Sequence, residues 1–283
     1  PNISENPMSN TKPLSNAMTQ KALKHLGLPT SVKPNRHTLE QLLYQYVRTV
    51  PWESASRIVR RANTVMLEQC PVLGQKFWEN TIVSGTGGTC YESNYAFYSL
   101  LLQVGYEGYL TLNNMGSSIG CHSAIVILIE DEKLLIDVGL PIFAPLPIRD
   151  QETASVESQF FTYTIESLGD DSYEIWRTPH LQHNAFTLID QPVDDEAYRQ
   201  TTTNDYILGS GLFLDKVVIN KVIGDNIWRF NCNNSPLHME KFVGDIRHDY
   251  ALTHDHAEQL ANQFKLDQVI FAEALEAMGL PSK

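Results

Sequence analysis

Three observations on the pattern of apolar residues along the 283-residue chain predict an α+β fold. Apolar residues recur at helical spacing up to about residue 106. From about residue 107 the chain changes to short apolar runs bounded by turn residues, which is typical of strands. The last part mixes both patterns, and no internal repeat is visible. Helices, then strands, then a mixed tail indicate α+β rather than the alternation of an α/β protein.

The N-terminal third predicts helices separated by glycine and proline. Residues 1–16 are polar and rich in Ser, Asn and Pro, and we expect a flexible arm there. Residues 17–48 predict two helices, and Thr38 is a candidate cap of the second. Residues 55–82 predict helix in shorter pieces. The strongest helix is Tyr91–Val104, which has an apolar stripe and a glycine directly after it.

The middle of the chain predicts antiparallel strands. The clearest hairpin joins Cys121–Ile129 to Lys133–Val138 through the acidic turn 130–132. The tail His254–Gly279 predicts a helix. The other strand-like runs are Gly108–Asn113, Phe160–Ile165, Tyr173–Thr178, Ala185–Ile189, Phe213–Ile219, Val222–Ile223 and Ile227–Asn231.

The charge balance limits the classes of partner. The chain has 21 Lys and Arg against 33 Asp and Glu, a net charge of −12. Nucleic acids and anionic membranes attract basic surfaces, so we expect neither as a general partner, although a local basic pocket for one phosphorylated ligand is compatible with this charge. No apolar run has the length of a membrane span and no signal-peptide pattern is visible, so we expect a cytoplasmic protein.

The junction at Cys90 is the most informative place for chemistry. A glycine-rich loop, 84–89, leads into a helix whose first turn carries Cys90. The positive end of a helix dipole favours a thiolate over a thiol, which makes such a cysteine a nucleophile. Gly87 and Gly88 allow a tight turn whose amides, with that of Cys90, are natural oxyanion donors. The competing interpretation is a buried, unreactive cysteine at a helix start.

The other cysteines and histidines give weaker signals. Cys70, Cys121 and Cys232 form no CxxC or Cys/His spacing typical of zinc, so we expect reduced thiols and no metal site. The pair His254 and His256 is an isolated HxH, which is usually solvated surface.

His122 and Asp137 stand on the two strands of the predicted hairpin. Facing residues of an antiparallel pair have numbers with a constant sum, and 122 + 137 = 259 places the turn near residues 129 and 130. The acidic turn agrees to within one or two residues, so the pair is either opposite or diagonal. An aspartate in the apolar run 134–138 needs a partner, and an imidazole facing Cys90 would provide one. Taken singly, each residue is also explained as an ordinary polar strand residue.

Several segments in this order resemble the arylamine N-acetyltransferase family. Around its nucleophile that family has Arg-Gly-Gly-x-Cys, then Glu or Gln, then Asn, where this chain has TGGTCYESN at 86–94. The family's histidine begins an apolar strand and its aspartate stands in Leu-Val-Asp-Val-Gly, similar to 121–126 and 135–139 here. The remaining similar segments are Pro51–Ser54, Val104–Tyr106, Gln191–Val193 and Gly209–Phe213.

The resemblance implies a fold and a function. It implies a helical bundle over 17–106, an antiparallel β-barrel over 107–200 and an α/β lid over 201–283. It also implies a ping-pong transfer of acetyl from acetyl-CoA, as co-substrate, to an arylamine or arylhydrazine, with no metal. The site residues that the resemblance implies are Cys90, His122 and Asp137 as the triad, Trp52 and Tyr91 for the acceptor, and Gly209, Ser210 and Gly211 for CoA.

Two departures from the family pattern bear on the substrate. Thr86 stands where the family has Arg, and Ser54 where it has Asn. The missing Arg leaves Glu53 without its implied cation, and we expect Arg57, Arg60 or Arg61 to replace it. Three other functions stay open: a thiol acyltransferase or amide synthase with another acyl donor, a cysteine hydrolase with the same triad, and a binding protein without activity.

Overall fold

The computed structural model describes residues 10–283. The α-helices are Asn16–His25 (α1), Arg36–Thr49 (α2), Ala55–Asn63 (α3), Gln75–Ser84 (α4), Cys90–Val104 (α5), Asp195–Asn204 (α6), His256–Phe264 (α7) and Gln268–Ala277 (α8). A 3₁₀ turn covers Leu67–Gln69. The strands are Trp52–Glu53 (β1), Glu107–Met115 (β2), Ser118–Ile129 (β3), Glu132–Ile136 (β4), Leu146–Ile148 (β5), Ala154–Glu157 (β6), Thr162–Gly169 (β7), Ser172–Thr178 (β8), Asn184–Ile189 (β9), Val218–Ile223 (β10), Asn226–Asn231 (β11), His238–Val243 (β12) and Ile246–Ala251 (β13).

The N-terminal helices follow the predicted pattern with two corrections. Helices α1 and α2 confirm the two helices over 17–48, but the cap of α2 is Asn35, whose side chain accepts the Thr38 amide at 2.9 Å. Residues 1–9 of the predicted arm lie outside the described residues. The later part of the arm is anchored, because Leu14 is buried and donates its amide to the Ser99 carbonyl at 3.0 Å.

Helix α5 is the centre of the helical layer. Every residue from Tyr91 to Leu101 is buried. A helix that is enclosed on all sides belongs to the middle of a core rather than to its surface. Gly105, at φ 111°, ends α5 in the left-handed conformation that favours glycine. The nucleophile candidate therefore begins the most enclosed helix of the layer.

Strands β2 to β9 form a nearly closed antiparallel barrel in the order β5-β4-β3-β2-β9-β8-β7-β6, with the edge strands β5 and β6 side by side. In the β3–β4 hairpin Ile125 faces Ile136, so facing residues sum to 261 rather than 259. The turn consists of Glu130 and Asp131 alone, which makes it one residue shorter than predicted. His122 and Asp137 are therefore diagonal neighbours, and the directly opposite pairing is wrong.

The C-terminal part forms the second sheet, β1-β10-β11-β12-β13, with α3, α7 and α8 packed on it. Strand β1 comes from the N-terminal third, since Trp52 pairs with Asn220. The single helix predicted over 254–279 is two helices, and Lys265 at φ 61° marks the break.

Helix α6 joins the barrel to the second sheet and was not predicted. Asp194 caps it by accepting the Ala197 amide at 2.9 Å, and Tyr198 of α6 is buried in the helical core. The predicted domain boundary at residue 200 therefore falls inside a helix. Between residues 10 and 283, no helix is both long and apolar enough to cross a membrane.

Candidate active site

Cys90 begins α5 and lies close to the end of β4. Its backbone is covered by Gly139: a Cβ at that position would come within 2.5 Å of the Cys90 Cα and Cβ atoms. Glycine is therefore required at 139 for the two segments to meet. The Cys90 side chain is half-buried, and its Sγ lies 3.9 Å from the Cys121 carbonyl oxygen on β3.

His122 and Asp137 form a buried pair. Nε2 of His122 lies 2.6 Å from Oδ2 of Asp137, and the two side chains are 3% and 0% exposed. The other carboxylate oxygen, Oδ1, accepts the Gly139 amide at 2.7 Å and the Leu140 amide at 3.0 Å. These donors hold the carboxylate in one orientation, which fixes the imidazole in turn.

The environment keeps the His122 imidazole protonated. Burial alone would lower the pKa of His122, but the charge and hydrogen bond of Asp137 outweigh it. A hydrogen bond with Cys90 adds to this, and the pKa of His122 is raised to about 10. A histidine beside Cys90 is the partner that a nucleophilic cysteine requires.

Asn94 is a site residue that sequence reasoning did not assign a role. Its Nδ2 donates to Asp137 Oδ1 at 3.0 Å and to the Ser123 carbonyl at 2.7 Å. Its Oδ1 accepts the Val138 amide at 3.0 Å. The spacing carried a signal, because Asn94 lies four residues after Cys90 and so on the same face of α5. Helix α5 thus carries both the Cys90 thiol and Asn94, which holds Asp137 in place.

The loop before Cys90 is held by Glu53, which is fully buried. The Glu53 carboxylate accepts the Gly87 amide at 3.1 Å, and the Ser56 amide at 2.9 Å and hydroxyl at 2.5 Å. The predicted oxyanion role of Gly87 is therefore wrong in this structure, because its single N–H is already donated to Glu53. Gly88 contributes its carbonyl to the Glu53 amide at 3.2 Å.

No arginine among the described residues replaces the cation that Glu53 lacks. Arg57 pairs with Asp205 at 2.6 Å and Arg60 pairs with Glu92 at 3.0 Å. Arg61 donates to the Tyr206 carbonyl at 2.9 Å. The expected ion pair of Glu53 is therefore wrong, and burial raises the pKa of Glu53.

The two candidate acceptor residues differ in the structure. Trp52 is half-buried and lines an apolar crevice with Val138, and its buried Nε1 has no hydrogen-bond partner within the part of the chain that the structure describes. Its ring meets Phe213 edge-to-face at 4.8 Å. Tyr91 is only 3% exposed and its hydroxyl donates to the Gly120 carbonyl at 2.6 Å. Tyr91 thus braces β3, and the structure does not support its predicted contact with an acceptor.

Gly209, Ser210 and Gly211 form an exposed turn after α6. The Ser210 and Gly211 amides both donate to the Ile207 carbonyl, at 3.3 and 2.7 Å. The chain continues from this turn to Phe213, whose ring contacts Trp52. The end of the turn that leads to Phe213 therefore lies near the crevice.

The second sheet brings one further group of potential metal ligands together. His238, Glu240 and Asp249 have ligand atoms within 4.8 Å of one another. Arg229 and Arg247 lie 3.7 and 3.4 Å from Glu240, so their charges already compensate the carboxylates. His254 and His256 make separate contacts, with Thr253 and with the Pro281 carbonyl.

A cysteine at a helix start, beside a buried histidine–aspartate pair on an adjoining barrel, is an arrangement suited to a thiol-dependent enzyme. A family model described as N-acetyltransferase matches residues 36–267, and the chain belongs to this family of acetyltransferase enzymes.

Solved structures share the whole fold at low sequence identity. An arylamine N-acetyltransferase from Salmonella typhimurium has a TM-score of 0.76 at 15% identity, with 93% of this chain and 99% of that chain covered. One from Mycobacterium abscessus has a TM-score of 0.75 at 19% identity, covering 99% and 100%. One from Bacillus cereus, described as having a unique Cys-His-Glu triad, has a TM-score of 0.72 at 18% identity, covering 88% and 98%. No curated protein sequence matches this chain significantly.

Proposed function

We propose that this enzyme transfers an acetyl group from acetyl-CoA to an aromatic amine or arylhydrazine through an acetyl-Cys90 intermediate. The observation that carries the proposal is the buried 2.6 Å pair of His122 and Asp137 beside Cys90 at the start of α5. Membership of the N-acetyltransferase family supports acetyl as the transferred group. The arylamine acceptor rests on the resemblance of motifs and on the fold shared with arylamine N-acetyltransferases.

In the first half-reaction the Cys90 thiolate attacks the thioester carbonyl. A new S–C bond forms, the carbonyl oxygen becomes an oxyanion, and the C–S bond to CoA then breaks. The His122 imidazolium gives its proton to the departing CoA thiolate, so free CoA leaves and the imidazole is neutral. The Cys90 amide, in the first turn of α5, is the oxyanion donor that we propose, with Gly88 beside it.

In the second half-reaction the acceptor nitrogen attacks the acetyl carbon of the Cys90 thioester. Its proton passes to neutral His122, the C–S bond breaks, and the amide product leaves the thiolate–imidazolium pair restored. Asp137 holds the ring throughout, through the same Nε2 contact. Trp52 supplies an apolar wall for the acceptor.

Intact-protein mass spectrometry after mixing with acetyl-CoA tests this function. We expect one acetyl adduct on Cys90 that an arylamine removes with formation of the amide. Cys90→Ser should abolish the adduct, whereas Cys121→Ser, which changes the neighbouring thiol only, should retain it. Acetyl transfer by Cys90→Ala would contradict the proposal. Adducts only with another acyl thioester would support the other-donor alternative, and peptide cleavage would support the hydrolase.

A further inference from the structure

Tyr198 contacts the segments that carry Cys90 and His122. This residue lies on α6 and is fully buried. Its hydroxyl donates to the Tyr91 carbonyl at 2.7 Å, and the same oxygen lies 2.6 Å from the Ser123 hydroxyl. Tyr91 directly follows Cys90 in the chain, and Ser123 directly follows His122. One phenol therefore contacts the neighbour of the nucleophile and the neighbour of its base.

The directions of these two hydrogen bonds follow from the chemistry of the phenol. Burial raises the pKa of Tyr198 well above its ordinary value, although the hydrogen bond with Ser123 opposes this. The phenol therefore keeps its proton, and it has only one proton to donate. The Tyr91 carbonyl can only accept, so it receives that proton. The Ser123 hydroxyl is then the donor to the phenol oxygen, and both hydrogen bonds form at the same time.

Strand β3 has two faces that pack against different parts of the molecule. Ala124 packs in the barrel core, whereas Ile125 packs with the residues of the helical layer. Because successive side chains of a strand alternate, His122 lies on the barrel face and Ser123 on the helical face. Ser123 is thus the position at which the helical layer can hold β3 directly beside His122.

Asn94 makes a related connection at a different height of α5. Its side chain donates to the Ser123 carbonyl at 2.7 Å, so it holds the backbone of β3. Asn94 belongs to the second turn of α5, whereas Tyr198 contacts the first turn, directly beside Cys90. Because the phenol belongs to a third segment, α6, it bridges the start of α5 and β3.

Packing explains the ring of Tyr198 but not its hydroxyl. The ring is nearly perpendicular to that of Tyr91, with centroids 6.1 Å apart, and is tilted against that of Tyr95 at 5.6 Å. A phenylalanine would make both contacts without the cost of removing a hydroxyl from water. The hydroxyl is therefore the part of this side chain that bears on the positions of Cys90 and His122.

We propose that Tyr198 is a positioning residue, whose hydroxyl sets the placement of Cys90 relative to His122 by connecting the first turn of α5 to β3. The inference rests on the proposed function for the reaction that this placement serves. In this role Tyr198 acts through Tyr91 and Ser123. A misplacement of reacting groups by about 1 Å can cost on the order of a hundredfold in rate. Loss of the connection should therefore slow the acylation of Cys90 without weakening donor binding.

Tyr198→Phe tests this role, because it removes the hydroxyl and keeps the ring. We expect the rate of Cys90 acylation at saturating acetyl-CoA to fall about tenfold, with the half-saturating concentration unchanged. Labelling of Cys90 by iodoacetamide should slow as well, because the thiol needs the same His122 beside it. Ser123→Ala should reproduce both effects. The double variant should add little to either single variant, since both substitutions break one connection.

Tyr106→Phe is the matched control. It removes a buried phenol just beyond the opposite end of α5, where the hydroxyl donates to the Asn35 carbonyl at 2.8 Å. It should lower the free energy of unfolding without slowing acylation or labelling.

A purely structural role of Tyr198 gives a different result. Tyr198→Phe would then reduce the fraction of protein that forms the adduct, while the remaining protein reacts at the wild-type rate. That result would overturn the inference, as would equal slowing in Tyr106→Phe or losses that multiply in the double variant. If acetyl-CoA does not acylate the wild type, the proposed function fails, and the iodoacetamide rates alone then decide the role of Tyr198.

Discussion

Two buried glutamates, Glu92 and Glu53, flank Cys90 in contrasting environments. Both are fully buried. Glu92 accepts from Arg60 at 3.0 Å, the Tyr206 hydroxyl at 2.6 Å and the Val72 amide at 2.8 Å. Among residues 10–283, Glu53 accepts only from neutral donors, Ser56 and the Gly87 amide.

The difference shows what a missing cation does to a buried carboxyl group. Arg60 is close enough to oppose the shift in the pKa of Glu53, but burial outweighs it and the pKa is raised. The charges of Glu92 and Arg60 compensate each other directly, so removing one residue leaves the other without its counter-ion. Thr86, in place of the family's arginine, thus leaves a hydrogen-bonding role for Glu53 rather than a new ion pair.

The largest effect is expected at Glu92. Glu92→Ala leaves Arg60 partly buried without its counter-ion, and we expect a loss of about 3–5 kcal/mol in the free energy of unfolding. Urea denaturation measures this. Glu92→Gln, which keeps an acceptor for Val72 and Tyr206, should lose less. A loss below about 1 kcal/mol in Glu92→Ala would show that the pair is not the dominant contact of this region.

A smaller loss is expected at Glu53. Glu53→Ala leaves the amides of Gly87 and Ser56 without their acceptor, at about 1–3 kcal/mol for a buried unsatisfied donor. Because Gly87 precedes the nucleophile by three residues, the rate of Cys90 acylation should fall as well. Thermal unfolding and iodoacetamide labelling of Cys90 measure the two effects. Unchanged labelling would mean that the loop is positioned without Glu53.

Ser56→Ala tests the hydroxyl alone. It removes the 2.5 Å bond to Glu53 but keeps the Ser56 amide donor. We expect a loss of about 1 kcal/mol, typical of one hydrogen bond. Ser117→Ala, at the exposed turn between β2 and β3, is a control for the substitution itself. An unchanged free energy of unfolding in Ser56→Ala would indicate that the two backbone amides suffice for Glu53.

The sequence predicted the parts of the site that depend on local periodicity. Cys90 at a helix start and the hairpin that carries His122 follow from patterns of 3.6 and 2 residues. Of the two pairings left open for His122 and Asp137, the structure has the diagonal one, because Ile125 faces Ile136 across the two-residue turn. The i, i+4 rule could have placed Asn94 on the face of α5 that carries Cys90.

The rest depends on contacts between distant segments. The neutral partners of Glu53 follow from how β1 meets the loop before Cys90. The contact between the rings of Trp52 and Phe213 likewise joins segments far apart in the chain. Neither arrangement follows from local patterns, since only the tertiary fold decides which segments meet.

The finest test of the comparison is the pH dependence of stability. The folded-state pKa of Glu53 is raised above its ordinary value of 4.5, so this group's contribution is fully present below that pH. It is lost as the pH rises through the folded-state pKa, because the unfolded chain ionises first. Glu53→Gln does not titrate and lacks this loss. The free energy of unfolding of the wild type minus that of Glu53→Gln should therefore decrease from about pH 4 towards neutrality. The exposed substitution Glu107→Gln should show no such trend. A difference that is constant with pH would mean that Glu53 is ionised in the fold and that neutral donors replace the missing cation fully.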